Sequence, residues 1–107
     1  MKLIIAVVQD RDSNRLSQAL VRENIPVTKL ASTGGFLRAG NTTFLIGVGD
    51  DQVEKVLDII RENSQVRKEF ITPHMGGDTQ EGGSCPVEVR IGGATVFVLA
   101  VERFEHF

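Results

Sequence analysis

Leu3-Ile4-Ile5-Ala6-Val7-Val8 is an unbroken run of six apolar, largely β-branched residues. Continuous rather than alternating, it reads as a strand covered on both faces, and it is far too short to cross a bilayer. Working outward, Asp10, Asp12 and Ser13 offer oxygens for the orphan donors of a helix start. Leu16, Ala19, Leu20 and Glu23 follow at helical spacing until Pro26 stops the run, which predicts a first helix over residues 12–24. Residues 27–31 alternate as a second strand, residues 42–48 are β-rich enough for a third, and a loop of about ten residues joins them. Asp50 or Asp51 caps a second helix whose Val53, Val56, Leu57 and Ile60 fit the i, i+3, i+4, i+7 template. Beyond residues 67–71, the stretch 72–84 is rich in glycine and other breakers and reads as a mobile loop. Gly92-Gly93 then suits a two-residue hairpin between strands over 86–91 and 94–101.

Strand, helix, strand, strand, helix, strand, with one further strand from the hairpin, is the split β-α-β plan of an α+β, ferredoxin-like domain. The length of 107 residues predicts one domain over 1–107, without an internal repeat. Two helices shield one face of such a sheet. Strand one is apolar throughout, and Phe97, Leu99 and Val101 add alternating apolar side chains, so the bare face predicts a homo-oligomer whose sheets pack together. A composition of 41% hydrophobic and 24% charged residues argues against disorder. The net charge of -2 gives no electrostatic lure for nucleic acid or an anionic membrane. With one cysteine, Cys85, no intrachain disulfide is expected, and without a visible secretory signal the expected location is the cytoplasm.

The most informative stretch for function is Thr33-Gly34-Gly35-Phe36-Leu37-Arg38-Ala39-Gly40-Asn41-Thr42, which sets two large apolar side chains in a glycine-flanked connection. Either Phe36 and Leu37 tuck beneath the loop as a satellite of the core, or they form a ligand contact. In the second case the glycines admit close backbone approach, Phe36 offers a ring, and Arg38, Thr28 and Asn41 offer polar groups, an arrangement suited to a nucleotide base. The spacing imitates a phosphate-binding P-loop, but Asn41 stands where the lysine must be and a strand follows where a helix should begin. Gly34-Gly35 lacks the third glycine of a dinucleotide fingerprint. Cys85, His74 and His106 are too scattered for a zinc site, no metal is expected, and no nucleophile-elbow sequence supports an enzyme. Asp10 with Asp12 has two readings, a hard-cation site or carboxylate pair and, favoured here, two acids where a helix start welcomes them.

Taken together, residues 1–10, the stretch 28–44, and Pro86-Val87-Glu88-Val89 with Gly92-Gly93-Ala94-Thr95-Val96-Phe97-Val98 closely resemble the PII-like cyclic di-AMP receptors called DarA or PstA. The resemblance runs nearly end to end. It implies a ferredoxin-like homotrimer in the bacterial cytoplasm that binds cyclic di-AMP in clefts between subunits, without turnover, and signals to a downstream protein. Carried over, the ligand-binding residues are Asn24 and Thr28 around an adenine, Gly35, Phe36 and Leu37 from the following loop, Asn41 and Gly47 on the third strand, and Phe97 on the last. Pro26 occupies a position where the family typically has an arginine near a phosphate. His106 stands where a glutamine usually contacts the ligand, and retains a ring nitrogen able to hydrogen-bond. The loop at 76–84 is shorter than usual and lacks tyrosines. These departures leave a second expectation, a PII-like protein-interaction trimer with an altered nucleotide pocket.

Overall fold

The computed structural model describes residues 1–30, 40–71 and 87–107. The predicted ligand residues Gly35, Phe36 and Leu37, and the glycine-rich stretch 72–84 with His74, lie outside the described residues, as does Cys85.

Strand β1 covers Lys2–Gln9 and leads directly into helix α1, Asp10–Arg22. Short strand β2, Thr28–Leu30, precedes β3, Asn41–Val48; a single 3-10 turn at Asp50–Gln52 then opens into helix α2, Val53–Ser64. Strands β4 (Arg67–Ile71), β5 (Val87–Ile91) and β6 (Ala94–Ala100) follow. The main sheet has the order β2-β3-β1-β6 with every neighbouring pair antiparallel, the ferredoxin-like arrangement expected of the element order.

Both helices pack against one face of that sheet and against each other. From β1 come Ile4, Ala6 and Val8, from β3 Phe44, Ile46 and Val48, and these meet Leu16 and Leu20 of α1, Ile25, and Val56 and Ile60 of α2. The six-residue apolar run of β1 is therefore covered fully on one face only. Ile4, Ala6 and Val8 are buried, whereas Leu3, Ile5 and Val7 between them are half-buried.

Four expectations need correction. Gly92-Gly93 does not close a hairpin, because β5 pairs with β4 as a separate two-stranded ribbon while β6 pairs with β1. The glycines do take positive φ values, +84° and +100°. Their N–H groups, however, go outward, that of Gly92 to the side-chain oxygen of Gln9 (2.8 Å) and that of Gly93 to the Ser64 carbonyl, so the chain crosses from ribbon to sheet. Residues 67–71, which pattern left unassigned, form the ribbon's first strand. The second strand is shorter than 27–31 and exposed throughout. Neither helix uses a side-chain N-cap, since α1 begins at Asp10 itself, directly after the extended Gln9.

Helix α1 ends two residues before the predicted 24, and its end explains Asn24. The Asn24 N–H donates to the Val21 carbonyl (2.9 Å) and the Ile25 N–H to that of Leu20 (3.0 Å), with Asn24 at φ +61° and Ile25 buried near Leu20. This is the Schellman closure, and asparagine is one of the few side chains tolerated in its left-handed position. Glu23 beside it accepts from Lys55 (2.9 Å), and that hydrogen bond holds its carboxyl below the usual value.

A buried charge fastens the ribbon. Asp12 is fully buried, and Arg67 grips it with both guanidinium ends, at 2.7 and 3.4 Å, while Arg15 adds a third contact at 3.1 Å. Arg15 also donates to the Asn63 carbonyl (2.8 Å) and Arg67 to that of Gln65 (3.3 Å), so one carboxylate ties α1 to the end of α2 and the start of β4. The hydrogen bond to Asp12 pushes the Arg67 pKa up still further, so the guanidinium stays charged. Removing Arg67 leaves the fully buried Asp12 carboxylate with Arg15 alone. Arg67→Ala is expected to destabilise the protein by about 3 kcal/mol, read from denaturant midpoints. Adding Asp12→Ala should cost less than the sum of the two single changes. Phe44→Ala, at the centre of the core, is expected to cost about 3–5 kcal/mol in the same assay.

Candidate functional site

Successive side chains of a strand point to opposite faces, and residues paired across an antiparallel ladder share a face. The register therefore fixes what the helix-free face of the main sheet presents. One row runs Thr28, Leu45, Ile5, Phe97 across the four strands. Beside it lie Leu30, Thr43, Val7, Thr95 on one side and Gly47, Leu3, Leu99 on the other, with Asn41 opposite Gln9 at the far end of β3. Among the described residues no charged side chain belongs to this face.

Four of the sequence-derived site residues, Thr28, Asn41, Gly47 and Phe97, thus share one uncovered surface. They are spread over it rather than gathered. Thr28 and Phe97 sit on the two edge strands, three strand spacings or about 14 Å apart. Asn41 and Gly47 are separated by about 20 Å along β3. Phe97 is 53% exposed and Leu99 46%, so the centre of the surface is half-buried aliphatic and one margin is open and apolar. A Cβ at position 47 would come within 3.3 Å of the Met1 side chain, which closes off that end.

Two further residues stand apart. Exposed Asn24 lies just before β2, in the helix closure described above. His106 is exposed in the segment after β6, which leaves the sheet at the Gly47 end, where the Val101 N–H donates to the Met1 carbonyl (3.2 Å).

The Asn41 end is concave. Gln9, Asp10, Arg11, Gly40, Asn41, Arg90 and Ile91 line a cleft of about 530 Å³ between the sheet and the ribbon. A second cleft of about 340 Å³ shares Gln9 and Asn41 and reaches Val66, Gly92 and Thr95. Asp10 shapes the rim, its N–H donating to the Gly40 carbonyl (2.8 Å) and its carboxylate accepting from Thr42 (2.6 Å). Arg11, paired with Glu69 at 3.6 Å, and Arg90 bring positive charge to this end. A third groove, about 380 Å³ between α2 and β6, contains none of the candidate residues. Among the described residues no cluster of three metal-ligating side chains occurs.

Sequence reading missed the burial of Thr43 on this face and the ribbon-holding role of Gln9. Thr43 has a signal in the period-2 pattern, because it lies in phase with Asn41 and Gly47 on the same strand. The role of Gln9 depends on a contact 83 residues away and carries none.

The described part of this face is thus uncharged, partly apolar and bordered by amide and hydroxyl groups, with Asp10, Arg11 and Arg90 lining the cleft at one end. A solved structure of a functionally unknown protein from Pediococcus pentosaceus ATCC 25745 is 48% identical, with a TM-score of 0.79 over 99% of this chain and 96% of that one. The sequence profile of the cyclic-di-AMP receptors matches residues 1–107. The match spans every element described above, bears out the resemblance drawn from the motifs, and shows that the chain belongs to the cyclic-di-AMP receptor family.

Proposed function

We propose that this protein is a non-enzymatic, cytoplasmic receptor that binds cyclic di-AMP in clefts between the subunits of a homotrimer. Binding alters the surface at residues 33–41 and 72–84 that is offered to a downstream protein. The observation that carries this reading is the distribution of Thr28, Asn41, Gly47 and Phe97 over one uncovered, uncharged sheet face, with Thr28 and Phe97 on opposite edges. Residues so far apart in one chain approach each other when the β2 edge of one copy meets the β6 edge of the next. Packing the sheets together also covers Phe97, Leu99 and Leu30, and each buried Å² of apolar surface contributes about 25 cal/mol.

Pro26 and His106 favour a second reading, a trimer of the same build with an altered nucleotide pocket that serves constitutively as a protein-interaction module. Pro26 brings no N–H and no cation to the neighbourhood of Thr28.

Isothermal titration separates the two. With protein near 100 μM, about the level needed to see even a weakened site, cyclic di-AMP should give a saturable heat, and its absence would favour the second reading. Asn41→Ala is expected to weaken binding about tenfold, the worth of one hydrogen bond to the ligand. Sedimentation should return a trimer. Phe97→Asp, which sets a charge on the apolar face, should shift it toward monomers; a variant that sediments as the parent does would refute face-to-face packing of the sheets.

A further inference from the structure

Between Asn41 and Leu45, on the helix-free face of β3, Thr43 is only 4% exposed, and among the described residues its Oγ1 is the buried side-chain polar atom without a hydrogen-bond partner. The other buried polar side chains are provided for. Asp12 has its arginines, Ser13 donates to the Asp10 carbonyl, Thr42 to the Asp10 carboxylate, and Ser64 to the Ile60 carbonyl. A threonine hydroxyl has one donor and two acceptor sites, and leaving all of them dry is costly, whereas valine fills the same volume without that cost. At a position flanked by aliphatic neighbours, Leu30 on β2 and Val7 on β1, packing gives no reason for the hydroxyl.

Its surroundings supply one. Asn41 precedes Thr43 by two residues on the same face, and Thr28 is its diagonal neighbour across β2, so a molecule touching both lies over Thr43. We infer that Thr43 is a specificity-determining contact, its hydroxyl completing a hydrogen bond on the polar edge of the bound nucleobase; this rests on the receptor reading above. A base edge, not a phosphate, is the partner, because the face carries no cation and an anion there would lose its hydration uncompensated. Leu30, the cross-strand neighbour on the three-residue edge strand and itself 36% exposed, is the side chain that turns aside to admit the ligand.

The test compares the wild type with Thr43→Val and Thr43→Ser by titration with cyclic di-AMP, sedimentation and ligand-free melting. Thr43→Val should assemble as the wild type does and melt at the same or a higher temperature without ligand, yet bind about tenfold more weakly. Thr43→Ser should bind within about twofold of the wild type. If Thr43→Val binds as tightly as the wild type, the inference falls while the receptor reading stands. A ligand-free melting point lowered by several degrees in Thr43→Val would overturn it too, by placing the hydroxyl's partner within the protein assembly. A wild type that does not bind would instead remove the receptor reading, and this inference with it.

Discussion

The antiparallel ladder that locks β1 between β3 and β6 sets everything else in this molecule. Seven residue pairs join β1 to β6 and eight join it to β3, and a slip of one residue in either would carry the side chains of the shifted strand to the opposite face. With the register fixed, Ile4, Ala6, Val8, Phe44 and Ile46 point toward the helices and become the core. The residues alternating with them are then fixed just as firmly on the other side. Core and candidate surface are two readings of one alternation.

This alternation also bears on what was legible in the sequence. The helices and the three long strands of the main sheet announce themselves locally, by heptad-like spacing in Val53, Val56 and Ile60 and by the β-branched run of β1. Their order then fixes the topology. The placement of Thr28, Asn41, Gly47 and Phe97 on a common face follows from parity once the pairing is known, although the motif alone does not reveal that edge strands hold two of them apart. What stayed hidden depends on long-range contacts. Gly92-Gly93 has the backbone of a turn, yet Gln9 and Ser64 claim its N–H groups and carry the chain across to another sheet. Asp12 looks like an ordinary acid in the first turn of a helix, and only the arrival of Arg67 from 55 residues away makes it a buried ion pair.

Two polar residues, Asn24 and Thr43, are accounted for differently by the fold. Asn24 closes helix α1 in a left-handed conformation, a structural reason for its identity that holds whether or not a ligand is present. Thr43 is the opposite case, a polar side chain for which the fold offers no bond. The contrast shows how to weigh a candidate contact by asking first whether the chain itself already accounts for the residue.

The β4–β5 ribbon is hydrogen-bonded within itself and joined to the rest by Arg67 on Asp12, by Gly92 on Gln9 and by Gly93 on Ser64 at its base, and by the Arg11–Glu69 ion pair further along. Growth or shrinkage at its distal end, one residue per strand at a time, therefore leaves the main register untouched. The ribbon's pairing and the register of the main sheet are thus held by separate ladders, so one can change without disturbing the other.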